Sequence, residues 1–176
     1  MPLKKIRVAA VGLGWVALHR HLPVLDRSED FEVIGVIDHT PGIAKRVADR
    51  RGYPRFAETS VLSDIDWLSE VDVITVATAP MSHFSVVTEA LQLRKHILTE
   101  KPFAMSVAEG EQMVSLAAKQ DRRLAIVHNF QFARSTRRLC LELEQGKMGE
   151  ILAINAVQFS NPRRRLPKWY DDLPLG

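Results

Sequence analysis

A lysine is useful in proton transfer only where the fold holds it beside a reacting oxygen, and one lysine here has a distinctive setting. Glu100-Lys101-Pro102 directly follows the apolar run His96-Ile97-Leu98-Thr99. At the end of a buried strand, Lys101 could hydrogen-bond a hydroxyl or carbonyl oxygen and exchange a proton with it. A second constellation lies near the N-terminus, where Gly12-Leu13-Gly14-Trp15-Val16-Ala17 follows another apolar run, Ile6 to Val11. Gly12 permits a tight turn and Gly14 lets backbone amides approach a pyrophosphate. Ala17 is small enough, like a third glycine, for helix and strand to pack closely. The helix start that follows offers amide donors to the phosphates of a dinucleotide.

Asp38 stands about twenty residues beyond this turn, where a carboxylate accepts from the adenosine ribose hydroxyls. A negative charge there repels a 2′-phosphate, which favours NAD over NADP, although the neighbouring His39 could tolerate some phosphate. Thr78-Ala79-Pro80-Met81-Ser82-His83 joins an apolar run to a helical pattern. Its small residues and proline shape a rigid loop suited to a nicotinamide ribose, with Ser82 as a helix cap. His83 fits a structural or a catalytic role equally well. His19, His21 and His96 read as structural, and no histidine pair has metal-ligand spacing.

Elements of an α/β chain would position these residues. Strands are expected at 6–11, 31–37, 71–77, 96–99 and 124–127. Helices are expected at 16–27, bent or closed by Pro23, and from Thr40-Pro41 to Gly52. Others should cover 82–93, the capping-box pair Ser106 and Glu109 to Gln120, and 132–145. Alternation of this kind predicts a doubly wound parallel sheet, whose ligands bind beyond the C-terminal strand ends. Residues 12–17, 38, 78–83, 100–102 and 128–131 all fall at such ends. The pattern changes after Gly149, where 151–160 reads as a longer strand. The expected organisation is a dinucleotide-binding domain at 1–130, a connecting helix at 131–149, and the start of a second domain at 150–176.

With 176 residues, 46% of them apolar, the chain has room for one ordinary core. The net charge of +3 is mild, and much of the basic excess sits in Arg134, Arg137, Arg138 and Arg163-Arg164-Arg165. No broad basic face or recognition motif supports a nucleic-acid partner. The single cysteine, Cys140, excludes an internal disulfide and suits a reducing cytoplasm. No run has the length of a signal peptide's apolar region or a membrane span, so a soluble protein without a membrane partner is expected.

These residues make the chain resemble the glucose–fructose oxidoreductase, inositol dehydrogenase and rhizopine-catabolism family, Gfo/Idh/MocA. The resemblance covers residues 4–160: the glycine turn, Asp38, Ala79-Pro80-Met81-Ser82-His83, the run from Lys95 to Pro102, and Asn129 with Phe132. Gly146-Lys147-Met148-Gly149-Glu150-Ile151 is similar to the family's crossing into its second domain. The resemblance implies a Rossmann-like domain, NAD or NADP as cofactor, and a sugar, cyclitol or related polyol as substrate. It makes Lys101 the active lysine of a cofactor-and-catalysis motif, with Asn129 on the cofactor side. Members often have Pro-Asn where this chain has Pro80-Met81, and arginine where it has Gln131. They also continue into a substrate-binding sheet carrying a further aspartate and histidine. The expectation is therefore a truncated, cofactor-binding part of an oxidoreductase, able to form homo-oligomers. Its rival is a non-catalytic NAD(P)-binding sensor or regulatory module.

Overall fold

In the computed structural model, which describes residues 4–157 and 159, the aliphatic runs assemble into one six-stranded sheet. Its strands are β1 (Ile6–Val11), β2 (Phe31–Ile37), β3 (Arg55–Ala57), β4 (Val73–Val76), β5 (His96–Thr99) and β6 (Leu124–Ile126). They lie in the order β3-β2-β1-β4-β5-β6, and every neighbouring pair is parallel. The inner strands read as mainly apolar runs, interrupted by residues such as Arg7 and Glu32 near their starts, because helices cover both faces. On one face Ala9, Val11, Ile74 and Val76 pack with Val87 and Leu91 of α3 (His83–Gln92) and Met113 of α4 (Val107–Lys119). On the other, Ala10, Val33 and Val36 meet Leu22 of α1 (Leu22–Leu25) and Ala44 and Val47 of α2 (Ile43–Arg51). β1 pairs with both β2 and β4, so the strand order reverses beside it. The crevice at the C-terminal ends of β1 and β4 is where such sheets bind ligands.

The chain divides into two compact units, Met1–Val127 and His128–Gly176. The first contains the whole sheet. In the second, a short 3-10 helix, Asn129–Phe132, precedes α5 (Arg134–Glu144). Among the described residues, no helix is long and apolar enough to cross a membrane.

Local structure departs from the sequence expectation in several places. The first helix contains a π turn, Ala17–His21, before α1. Leu22 donates back to the Ala17 carbonyl, and Pro23 follows with no N–H to give the next carbonyl. Thr40-Pro41 does not open α2: a turn from Thr40 to Ile43 comes first, and left-handed Gly42 occupies the N-cap. β3 was not expected, being three residues long with two exposed. Ser82 stands at the N-cap of α3 but makes no side-chain cap bond. Residues 151–157 and 159, read as a strand, form none. A strand needs a neighbouring backbone to pair with, and alternating side chains do not supply one. The rest of the expected 151–160 strand and the tail to 176 lie outside the described residues.

Candidate functional site

The turn after β1 is fixed from two sides. Gly12 has φ +82°, and a Cβ there would lie 2.7 Å from the Thr78 backbone nitrogen. Glycine is required both for the left-handed turn and for its close approach to the loop after β4. The next amide is held by the loop after β2: Leu13 N–H donates to Asp38 Oδ2 at 2.8 Å. Asp38 Oδ1 accepts from Thr40 N–H at 2.9 Å. A carboxylate has about four lone-pair positions, so accepting capacity remains on Asp38. Exposed His39 lies with its Nδ1 3.8 Å from Asp38 Oδ1. The Leu13 side chain is buried in the layer of α1 and α2.

Gly14 faces open space, with no atom within 4 Å of where a Cβ would stand. The first helical bond of this turn runs from Leu18 N–H to the Gly14 carbonyl. The amides of Trp15 and Val16 precede it and belong to the helix start, where N–H groups lack intrahelical acceptors. Trp15 is exposed, stacks on the His19 ring at 5.0 Å between centroids, and carries the Arg20 guanidinium at 5.2 Å.

The loop after β4 holds an unpartnered hydroxyl. Thr78 Oγ1 is buried and has no hydrogen-bond partner, an uncommon state that a ligand would relieve. Ala79 leads into the 3-10 turn Pro80–Ser82, with Pro80 buried and Met81 exposed. His83 is fully buried, its Nδ1 2.8 Å from the Pro102 carbonyl and its Nε2 3.3 Å from that of Thr78. It ties the loop after β4 to the loop after β5, so the geometry gives it a structural role.

Glu100 and Lys101 follow β5 with opposite exposure. Lys101 is exposed, and the Lys101–Pro102 peptide is cis. Glu100 is buried, and both of its oxygens are engaged. Oε1 lies 2.9 Å from His21 Nε2, and Oε2 accepts from Lys101 N–H at 3.2 Å. The other His21 nitrogen, Nδ1, lies 2.9 Å from Thr75 Oγ1 on β4. Burial works to raise the Glu100 carboxyl. The His21 hydrogen bond, the Lys101 amide and the charges of both residues outweigh it, so Glu100 titrates below the ordinary 4.5.

Gly12, Leu13, Gly14, Trp15, Val16, Asp38, His39, Thr78–Met81, His83 and Glu100–Pro102 thus all follow the C-terminal ends of β1, β2, β4 and β5. Asn129 is exposed and opens the 3-10 helix of the second unit. Sequence reasoning did not single out Thr75 and read His21 as structural, and the structure joins Thr75 through His21 to Glu100. His21 and Glu100 are 79 residues apart, and nothing local to either marks the pair. An open side at Gly14, an orphaned hydroxyl at Thr78 and unspent acceptors on Asp38 together fit a dinucleotide.

The profile of an oxidoreductase family with an NAD-binding Rossmann fold, Gfo/Idh/MocA, matches residues 6–128. A dTDP-3,4-didehydro-2,6-dideoxy-alpha-D-glucose 3-reductase from Actinomadura kijaniata is 28% identical over 165 residues, 89% of this chain and 46% of that protein. A dehydrogenase from Bordetella pertussis, solved with NADH and UDP-GlcNAcA, has a TM-score of 0.74 at 25% identity, over 83% of this chain and 44% of that one. An Agrobacterium radiobacter oxidoreductase, solved with NAD+, L-tartaric acid and magnesium, shares the fold with a TM-score of 0.77 at 23% identity, over 84% and 42% of the two chains. The chain spans under half the length of the curated relatives it matches.

Proposed function

The chain belongs to the Gfo/Idh/MocA oxidoreductase family and carries its NAD-binding Rossmann domain, and from that premise we propose that it serves hydride transfer between a nicotinamide dinucleotide and an alcohol carbon of a sugar-like or polyol substrate. The observation that carries the reading is convergence. Gly12, Asp38, Thr78 and Lys101 follow the C-terminal ends of β1, β2, β4 and β5 in a parallel sheet, beside the reversal of strand order. The reductase named for a dTDP-sugar and the dehydrogenase solved with UDP-GlcNAcA support a sugar-like substrate.

The bound dinucleotide supplies the hydride acceptor or donor. The amides of Trp15 and Val16 bind the pyrophosphate, whose approach Gly14 leaves open. Asp38 accepts from the adenosine ribose hydroxyls and repels a 2′-phosphate, which favours NAD over NADP. Thr78 Oγ1, with Ala79, Pro80 and Met81, lines the nicotinamide ribose. Lys101 holds the substrate oxygen, taking its proton during oxidation of the alcohol and returning it during reduction of the carbonyl. Glu100 holds Lys101 and leaves the substrate to it.

Calorimetric titration with both cofactors tests this reading. NAD is expected to bind more tightly than NADP, and Asp38→Ala to narrow the gap by about 1–3 kcal/mol. Equal or reversed affinities overturn the selectivity, and no dinucleotide binding overturns the function. In a form of the protein that turns over sugars, Lys101→Ala should lower turnover roughly 10²–10⁴-fold with much less effect on cofactor affinity. Undiminished turnover would reduce Lys101 to a structural residue.

A further inference from the structure

We propose that His21 is a positioning residue for Lys101, acting through Glu100 and oriented by Thr75. The inference rests on the reading of Lys101 as the proton-transfer residue.

Thr75, His83, Thr99 and Glu100 are the buried polar residues among those described. Glu100 is the one carboxylate in that group, and a buried carboxylate is costly unless it is paired and hydrogen-bonded. Its partners are specific. One oxygen meets His21 at 2.9 Å, and the other meets the Lys101 amide at 3.2 Å. The order of the bonds follows from donor inventory. An ionised carboxylate only accepts, so the His21 proton facing it sits on Nε2. In the neutral ring Nδ1 is left as an acceptor and Thr75 Oγ1 donates to it across 2.9 Å, whereas in the protonated ring both nitrogens donate and Thr75 Oγ1 accepts. Thr75 orients the ring, the ring orients the carboxylate, and the carboxylate holds the N–H of Lys101.

The consequence lies in where His21 comes from. It ends the π turn that begins a few residues after Gly14, on the helix that opens at the phosphate-binding turn. Thr75 lies on β4 and Glu100 follows β5. Three separate elements therefore fix the backbone from which the exposed Lys101 side chain extends. The peptide before Lys101 sets the direction of its Cα–Cβ bond, and a small misplacement there is carried along the whole side chain. Misplacement by about 1 Å can cost on the order of 10²-fold in an oriented reaction. Through this chain, the turn that seats the cofactor and the lysine that faces the substrate share one rigid frame.

Nuclear magnetic resonance on the protein tests the proposal. At alkaline pH the wild-type His21 ring should carry its proton on Nε2, and an Nδ1–H tautomer overturns the hydrogen-bond order without need of a variant. His21→Phe keeps the ring's bulk and removes both nitrogens. It should speed hydrogen exchange at the Lys101 amide about tenfold or more, as loss of a charge-assisted bond implies. His21→Gln, whose amide N–H can replace Nε2–H, should restore the wild-type rate. Thr75→Val provides a second, shape-conserving test and should also speed exchange at Lys101. Adding NAD should shift the Lys101 side-chain resonances in wild type and His21→Gln, and by less than about half as much in His21→Phe at equal saturation. Equal shifts and equal exchange in folded His21→Phe overturn the positioning role alone. A wild-type Lys101 that ignores bound NAD overturns the functional reading beneath it.

Discussion

Gly12 meets two independent demands, a positive φ and a backbone neighbour 2.7 Å from any Cβ. Gly12→Ala should therefore cost roughly 2–5 kcal/mol, adding left-handed strain to a clash that neither backbone can relieve cheaply. Urea unfolding measures this, and a loss below about 0.5 kcal/mol would show that the turn relaxes freely. Glu100 makes a pH-dependent prediction. Its titration lies below the ordinary 4.5 because the His21 and Lys101 interactions outweigh burial. The folded-state value is below the unfolded one, so its stabilisation is full above the unfolded value and disappears as pH falls through the folded value. Glu100→Gln should flatten that part of the acid-stability curve, and urea melts through the acid range would reveal an unchanged slope if the idea is wrong. At this scale, the left-handed turn at Gly12 was legible in its adjacent residues, and Asp38 was singled out by its spacing of about twenty residues from that turn. The contacts of His21 were not legible, because they form only when β4 and β5 pair and bring Thr75 and Glu100 to the same ring.

Helix starts show how far local chemistry reaches. Ser106 caps α4 as its spacing to Glu109 implies, accepting from Glu109 N–H at 3.2 Å, while Glu109 Oε2 accepts from Met105 N–H at 2.9 Å. Thr40 carried a similar signal, yet α2 begins at Ile43 behind left-handed Gly42. The Thr40 amide is instead drawn to Asp38, which pulls the chain into a turn. Thermal melts of two alanine variants separate the cases. Ser106→Ala should lose about 1 kcal/mol, and Thr40→Ala within about 0.5 kcal/mol of nothing. An equal loss from both would mean that Thr40 also acts as a cap. The strands divide in the same way. β1, β2, β4 and β5 were visible as apolar runs because both faces are covered, whereas β3 owes its existence to the register Gly35↔Arg55 to Ile37↔Ala57. Three residues with two exposed cannot announce that in composition.

The two compact units differ in how their helices are buried. α3 and α4 each bury residues in the sheet's core, while α5 has none that are buried. Local stability follows buried apolar contact, so amides of Arg134–Glu144 should exchange by openings much cheaper than global unfolding, whereas those of β1 and β4 should need the whole unit to open. Native-state hydrogen exchange checks this, and core-like protection along α5 would contradict it. Within the first unit, the Leu13–Asp38 bond has a consequence for descent as well as for chemistry. On the proposed reading, one carboxylate recognises the ribose and also braces the turn that receives the phosphates. Replacing it to admit a phosphorylated ribose leaves the Leu13 amide without its acceptor, so the first step away from NAD weakens the seat for either cofactor. A lineage changing its cofactor must install a substitute acceptor before it gives up Asp38, and the order of those substitutions is not free.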